Sequence, residues 1–124
     1  MEEDLMTVES LAKTVIDITV EAWRFRNVFE RLVLRLSPSE RLRYAGQYAW
    51  FNRKINDSLN KCGIRIIDVK GKEFSADMPA IPVNIQEFNE DDVLVIDQML
   101  EPIIMNGETI LKTGSVVLKK KNIR

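Results

Sequence analysis

The chain has 124 residues, 45% hydrophobic and 30% charged, with four prolines and five glycines. That balance fits one or two small folded domains and excludes a disordered tail or a large enzyme. It holds no histidine and one cysteine, which excludes Ser-His-Asp and Cys-His nucleophile pairs, His-ligated metals, Cys-rich zinc sites and any disulfide within the chain.

The net charge is −1, with 10 basic and 9 acidic residues through Cys62 and 8 and 10 beyond it. Neither half has the basic surplus of a nucleic-acid binder. Lys119-Lys120-Lys121 reads as a solvated end in preference to a phosphate contact. Apolar runs such as Val93–Ile96 are too short to span a bilayer. The acidic start Met1-Glu2-Glu3-Asp4 is the reverse of a secretory n-region, so the expected location is the cytoplasm.

The first half carries a helical period. Val8, Leu11, Val15, Ile18, Ala22, Phe25, Phe29, Leu32 and Leu36 step by threes and fours, a heptad seam. No proline or glycine interrupts residues 4–36, so the spacing predicts one helix over that range, about 48 Å long. Ile16, Val20, Trp23, Val28, Val33 and Leu34 widen the stripe beyond what a two-stranded coil needs. Trp23 reads as a core or dimer contact, with partner binding as the alternative.

Ser37-Pro38-Ser39-Glu40 is a helix start, with Ser37 as cap, Pro38 at the first helical position and Glu40 three residues on. A second helix is predicted over 38–62, ended by Gly63. One such hairpin covers too little apolar surface, and two make a four-helix bundle. A homodimer is therefore expected, with Val15, Ile18, Ala22, Phe25, Phe29, Leu32 and Leu36 at its interface. Gly46 breaks the pattern inside the second helix; a close helix approach or a partner contact would account for it. Cys62, at the helix end, reads as a packed, unreactive thiol.

The second half shortens its period. Ile64–Ile67 and Val93–Leu100 read as strands, and Val83–Phe88 alternates as one would. Lys70-Gly71-Lys72 and Asn89-Glu90-Asp91-Asp92 read as turns, and Pro79 and Pro82 bracket an irregular stretch. Asn106-Gly107 predicts a hairpin between Ile103-Ile104 and Thr109-Ile110-Leu111, with Gly114 before a last strand at Ser115–Lys119. The class is α+β: helical dimerisation region 1–62, then a small all-β, barrel-like domain over 63–124. The carboxylates at 90–92 read as a solvated turn; a paired acid–base site is the alternative. Ile103, Ile104 and Met105 run consecutively, so alternation leaves some outside, as an apolar binding patch. No catalytic group, cofactor or metal site is expected.

Leu59-x-x-Cys62-Gly63-Ile64-x-x-Ile67-x-x-x-Gly71-x-x-Phe74 resembles the stretch of GrpE, the DnaK nucleotide exchange factor, in which a helix ends at a Gly-Val pair before a Gly-x-x-Phe turn. Val93–Leu100, Gly107, Ile110-Leu111-Lys112 and Val116-x-Leu118 look like that family's closing hairpin. The resemblance is best over residues 59–118. It departs from the family pattern at the missing histidine after the turn, at Ile103-Ile104 in place of Gly-Tyr, at Lys112-Thr113-Gly114 in place of Arg-Pro-Ala, and in the short first helix. The resemblance implies a homodimeric co-chaperone, not an enzyme. Such a protein binds the nucleotide-binding domain of a DnaK-type chaperone and speeds ADP release. It places chaperone contacts near Leu100, Thr109 and Leu118, sets Lys112 where the family has arginine, and aligns Gly46 within one residue of a sensitive short-helix glycine. Ile103 and Met105 join these as partner-binding candidates. The alternative is an adaptor dimer of the same architecture without exchange activity.

Overall fold

The structure, a computed structural model, describes residues 6–122. It is α+β, with two N-terminal helices followed by a small region of six strands. The chain divides into two compact units after Leu59, where the sequence placed the boundary after Cys62.

In the helical unit, α1 spans Val8–Val33 and α2 spans Pro38–Asn60. The expected start of α1 near residue 4 lies outside the described residues, and the helix begins at Val8 because Thr7 caps it. Thr7 Oγ1 accepts the Ser10 N–H, and Ser10 Oγ accepts the Thr7 N–H, each at 3.0 Å. This reciprocal pair satisfies two backbone donors that a helix start otherwise leaves open. At the other end α1 stops three residues short of Leu36. Leu34–Leu36 form a tighter turn, and the Arg41 guanidinium donates to the carbonyls of Leu34 and Leu36 at 3.1 and 3.2 Å. A cation on a helix C-terminus meets the negative end of its dipole. Ser37 caps α2 as predicted, its Oγ accepting the Glu40 N–H at 3.3 Å.

The helices are joined by rings. Phe29 stacks on Tyr48 at 5.7 Å between centroids, Phe25 meets Phe51 edge-on at 6.0 Å, and Phe25 and Phe29 stack at 6.0 Å. Thr19, Val20, Trp23 and Leu59 are buried, so Trp23 is a packing residue and not a partner contact.

The second unit has six strands: β1 (Ile64–Ile67), β2 (Ala80–Pro82), β3 (Leu94–Glu101), β4 (Ile103–Asn106), β5 (Thr109–Lys112) and β6 (Gly114–Lys120). They form two three-stranded sheets, β1-β4-β5 and β2-β6-β3. All pairs are antiparallel except β2 with β6. The chain crosses between sheets at buried Pro102 and returns at Thr113. Val69, Ala80, Leu94, Ile96, Ile103, Val116 and Leu118 form one core that draws on both sheets.

Two expectations fail here. The irregular stretch between Pro79 and Pro82 contains β2. Pro82 is tolerated because β2 sits at a sheet edge, where no partner needs its missing N–H. Val83–Phe88 is not a strand, since Ile85–Glu87 close a 3-10 turn. The side chain of Asn84 continues the ladder in place of backbone. Its Nδ2 donates to the Leu118 carbonyl and its Oδ1 accepts the Leu118 N–H, each at 2.9 Å.

Two glycines answer to geometry. The hairpin turn is centred on Gly107-Glu108, with Asn106 paired to Thr109. Gly107 has φ 60° and Glu108 has no positive φ, the pattern of a II′ turn, which calls for glycine first. That leaves Asn106 free to donate from Nδ2 to the Cys62 carbonyl at 3.1 Å. Gly114 is a close approach: a Cβ there would meet Ile103 Cγ1 at 2.8 Å and the Glu101 carbonyl at 2.9 Å. Gly114→Ala should therefore cost about 1–3 kcal/mol through overpacking. Urea unfolding followed by circular dichroism checks this, and an unchanged midpoint would contradict it.

Candidate functional site

Two surfaces draw attention, one on each unit. On the helical unit, Leu11, Val15, Ile18, Phe25, Val28 and Leu32 lie within one face of α1 and are 38–61% exposed. Most of the predicted seam is thus uncovered within the chain. Ala22 and Phe29 are half-buried, and Leu36 lies in the turn beyond α1 instead of on its face.

This face runs into a groove of about 500 Å³ lined chiefly by Phe25, Phe29, Gly46, Tyr48, Trp50 and Phe51. Trp50, which the periodicity did not single out, is 56% exposed at its rim. Gly46 lies on the same wall. A Cβ added there meets nothing within 4 Å, so the close-approach explanation fails within this chain. A glycine inside a helix costs about 1 kcal/mol relative to alanine, and no packing around it compensates.

Tyr48 fixes one wall. Its hydroxyl donates to Glu30 Oε2 at 2.8 Å. Burial pushes the phenol above its ordinary value of 10.0; a hydrogen bond from Asn52 opposes this, and Glu30 adds to it by accepting the proton's hydrogen bond and by its charge.

On the β unit the predicted partner residues separate. Ile103 and Leu118 are 0% and 2% exposed. They belong to the core, and their side chains are closed to a partner. Ile104 is also buried and Met105 half-buried, so the expected apolar patch on this run is not there. Burial comes from both faces of β4. Leu100 and Thr109 are exposed. Lys112 is half-buried, with its Nζ 3.4 Å from Glu101 Oε1. Ile110, 51% exposed, was missed. It sits opposite Met105 across the β4–β5 ladder, so the two share a face; the predicted Asn106-Gly107 turn would have set Met105 against Glu108, and the observed turn lies one residue later.

A second groove, about 530 Å³, is lined in part by Phe74, Ile85, Phe88, Glu90, Asp92 and Val93. Asp92 accepts the Asn89 N–H at 2.8 Å and lies 3.9 Å from Lys120 Nζ, which makes it a turn-forming group. Lys119 and Lys121 similarly face Asp97 at 3.5 Å and Glu73 at 3.1 Å. The basic run is therefore paired along β6 and just past it, in exposed ion pairs of small energy. Cys62 is exposed, contrary to the packed thiol expected, because α2 ends at Asn60 and the residue falls in the turn that follows. Among the described residues no cluster of His, Cys, Asp or Glu is placed to hold a metal ion, and no helix is long and apolar enough to cross a membrane.

No family model, curated protein or solved structure matches the chain.

The Tyr48 environment makes a signed prediction. The fold favours the neutral phenol, so its contribution is fully present below pH 10 and is lost as pH rises through the raised value. The tyrosinate absorbance of the wild type minus that of Tyr48→Phe should have its midpoint above 10. A midpoint at or below 10 would show that the ring is solvated.

Proposed function

We propose that the protein is a homodimeric co-chaperone of the GrpE type, acting in the cytoplasm. Its β unit, taken as one barrel-like body because the two sheets share a core, binds the nucleotide-binding domain of a DnaK-type chaperone and accelerates ADP release. Its helices pair with those of a second copy in a four-helix bundle. The observation that carries this reading is the order of parts. Two helices of 26 and 23 residues and then a small six-stranded unit follow in turn, an order of parts that agrees with the family named by the resemblance, and the first helix keeps one apolar face uncovered.

The mechanism needs no catalytic group. A protein that binds the open conformation of a nucleotide-binding domain more tightly than the closed one shifts the population toward open, and nucleotide leaves faster. The side chains proposed for the contact are the exposed Leu100 on β3 and Ile110 on β5, with half-buried Met105 beside Ile110; Thr109 is turned to the opposite face of β5.

The engagement of Lys112 by Glu101 and the burial of Ile103 and Leu118 favour a second reading. Two positions transferred from the family, Lys112 and Leu118, and the candidate Ile103 are occupied by the fold itself, which suits an adaptor dimer that kept the architecture and not the exchange activity.

The experiment is ADP-release kinetics with the DnaK-type ATPase of the same source. The wild type should accelerate release, and Leu100→Asp with Ile110→Asp should reduce the effect roughly tenfold or more. No acceleration at micromolar excess would sink the exchange reading. Pull-down of another protein without a DnaK-type ATPase would favour the adaptor.

A further inference from the structure

We propose that Gly46 is a socket for Trp50 of a second copy, so that the aromatic groove is completed only in the dimer. The inference rests on the homodimer put forward above, and names the contact that fixes its register.

Gly46 is in the interior of a 23-residue helix. Its φ is not positive, so the backbone does not call for glycine. Within the chain a side chain there would be free of any neighbour. Nothing in one copy explains a residue that weakens the helix. Space left open for something outside the chain does.

The groove itself indicates what that is. Trp50 follows Gly46 by four residues, so the two stand one turn apart on the same side of α2. One face thus presents a large exposed ring and, beside it, a gap without a side chain. A two-fold axis normal to the helix between these positions sets the Trp50 of each copy against the Gly46 of the other. The contact is made twice from one patch, as isologous pairing requires. An unrelated partner would need a hole and a knob of its own at that spacing; a second copy carries them already.

The area agrees. The six exposed residues of the α1 face, with Leu42 and Trp50 of α2, are 38–80% exposed. Together they offer apolar surface on the order of 800 Å², close to the roughly 800 Å² each partner gives a stable interface. Phe25 both lines the groove and belongs to the α1 face, so the socket is continuous with the seam.

The test uses the intact chain and two substitutions of opposite size, Gly46→Ala and Trp50→Ala, alone and together, with dimer dissociation measured by sedimentation equilibrium and helix content by circular dichroism. Gly46→Ala raises helix propensity, so an empty socket would make the variant melt higher and dimerise as before; that result overturns the proposal. A filled socket makes each single substitution weaken the dimer roughly tenfold or more, with the double variant no weaker than the worse single one, since both remove one contact. Additive losses in the double variant would also overturn it. A wild type that sediments as a monomer would overturn the homodimer reading itself, and the socket with it; a dimer indifferent to Gly46→Ala would remove the socket alone.

Discussion

The two helices are held to each other by a short cluster of rings beside the buried Val20, Trp23 and Leu59. Phe25, Phe29, Tyr48 and Phe51 hold α1 to α2, with the Tyr48–Glu30 hydrogen bond at the edge. The apolar residues of α1 outnumber what those rings cover. Leaving Ile18, Phe25 and Leu32 each more than half exposed forgoes about 25 cal/mol for every Å² left in water. The proposed dimer follows from this shortfall. The proposed contact between Gly46 and Trp50 of a second copy would cover part of the same shortfall.

The β unit is built the other way, around an apolar core that both its sheets share. Ile96, Ile103, Ile104 and Val116 are nearly inaccessible, and Gly114 lets the strand after it pass close to Ile103 and the Glu101 carbonyl. Outside it lie Ile81, Val83, Ile85, Val93, Leu100 and Ile110, each exposed, with paired charges on β6. A surface of this kind suits binding by shape to another protein. The proposed exchange activity asks no more of it than a preference for one conformation of its partner.

Much of this was legible in the sequence because its signals are local. Ser37-Pro38 starts a helix and Gly63 takes a φ of 73° after one ends. The period changes from helix to strand near residue 63, and the hairpin near Asn106-Gly107 sets the pairing of β4 with β5. The misreadings concern what only the folded chain decides. A three-residue parallel strand such as β2 has no period of its own and exists because β6 lies beside it. Ile103 and Ile104 point to opposite faces of β4, yet both are buried, which alternation in a one-faced sheet would not allow. Thr7 offered a cap that the uninterrupted apolar spacing concealed. Of the candidate site, the seam was readable as periodicity; the place of Ile110 was not, because the hairpin turns at Gly107-Glu108, one residue beyond the predicted Asn106-Gly107. The empty space at Gly46 was not, because a glycine required for close packing and one facing a void look the same in sequence.

In the proposed dimer, the uncovered face of α1 and the aromatic groove are closed by a second copy of this chain. Light scattering on the intact protein tests it most directly. A single species of twice 14.3 kDa, dissociating when Ile18 is replaced by glutamate, is the predicted result. A stable wild-type monomer at all accessible concentrations would contradict the account.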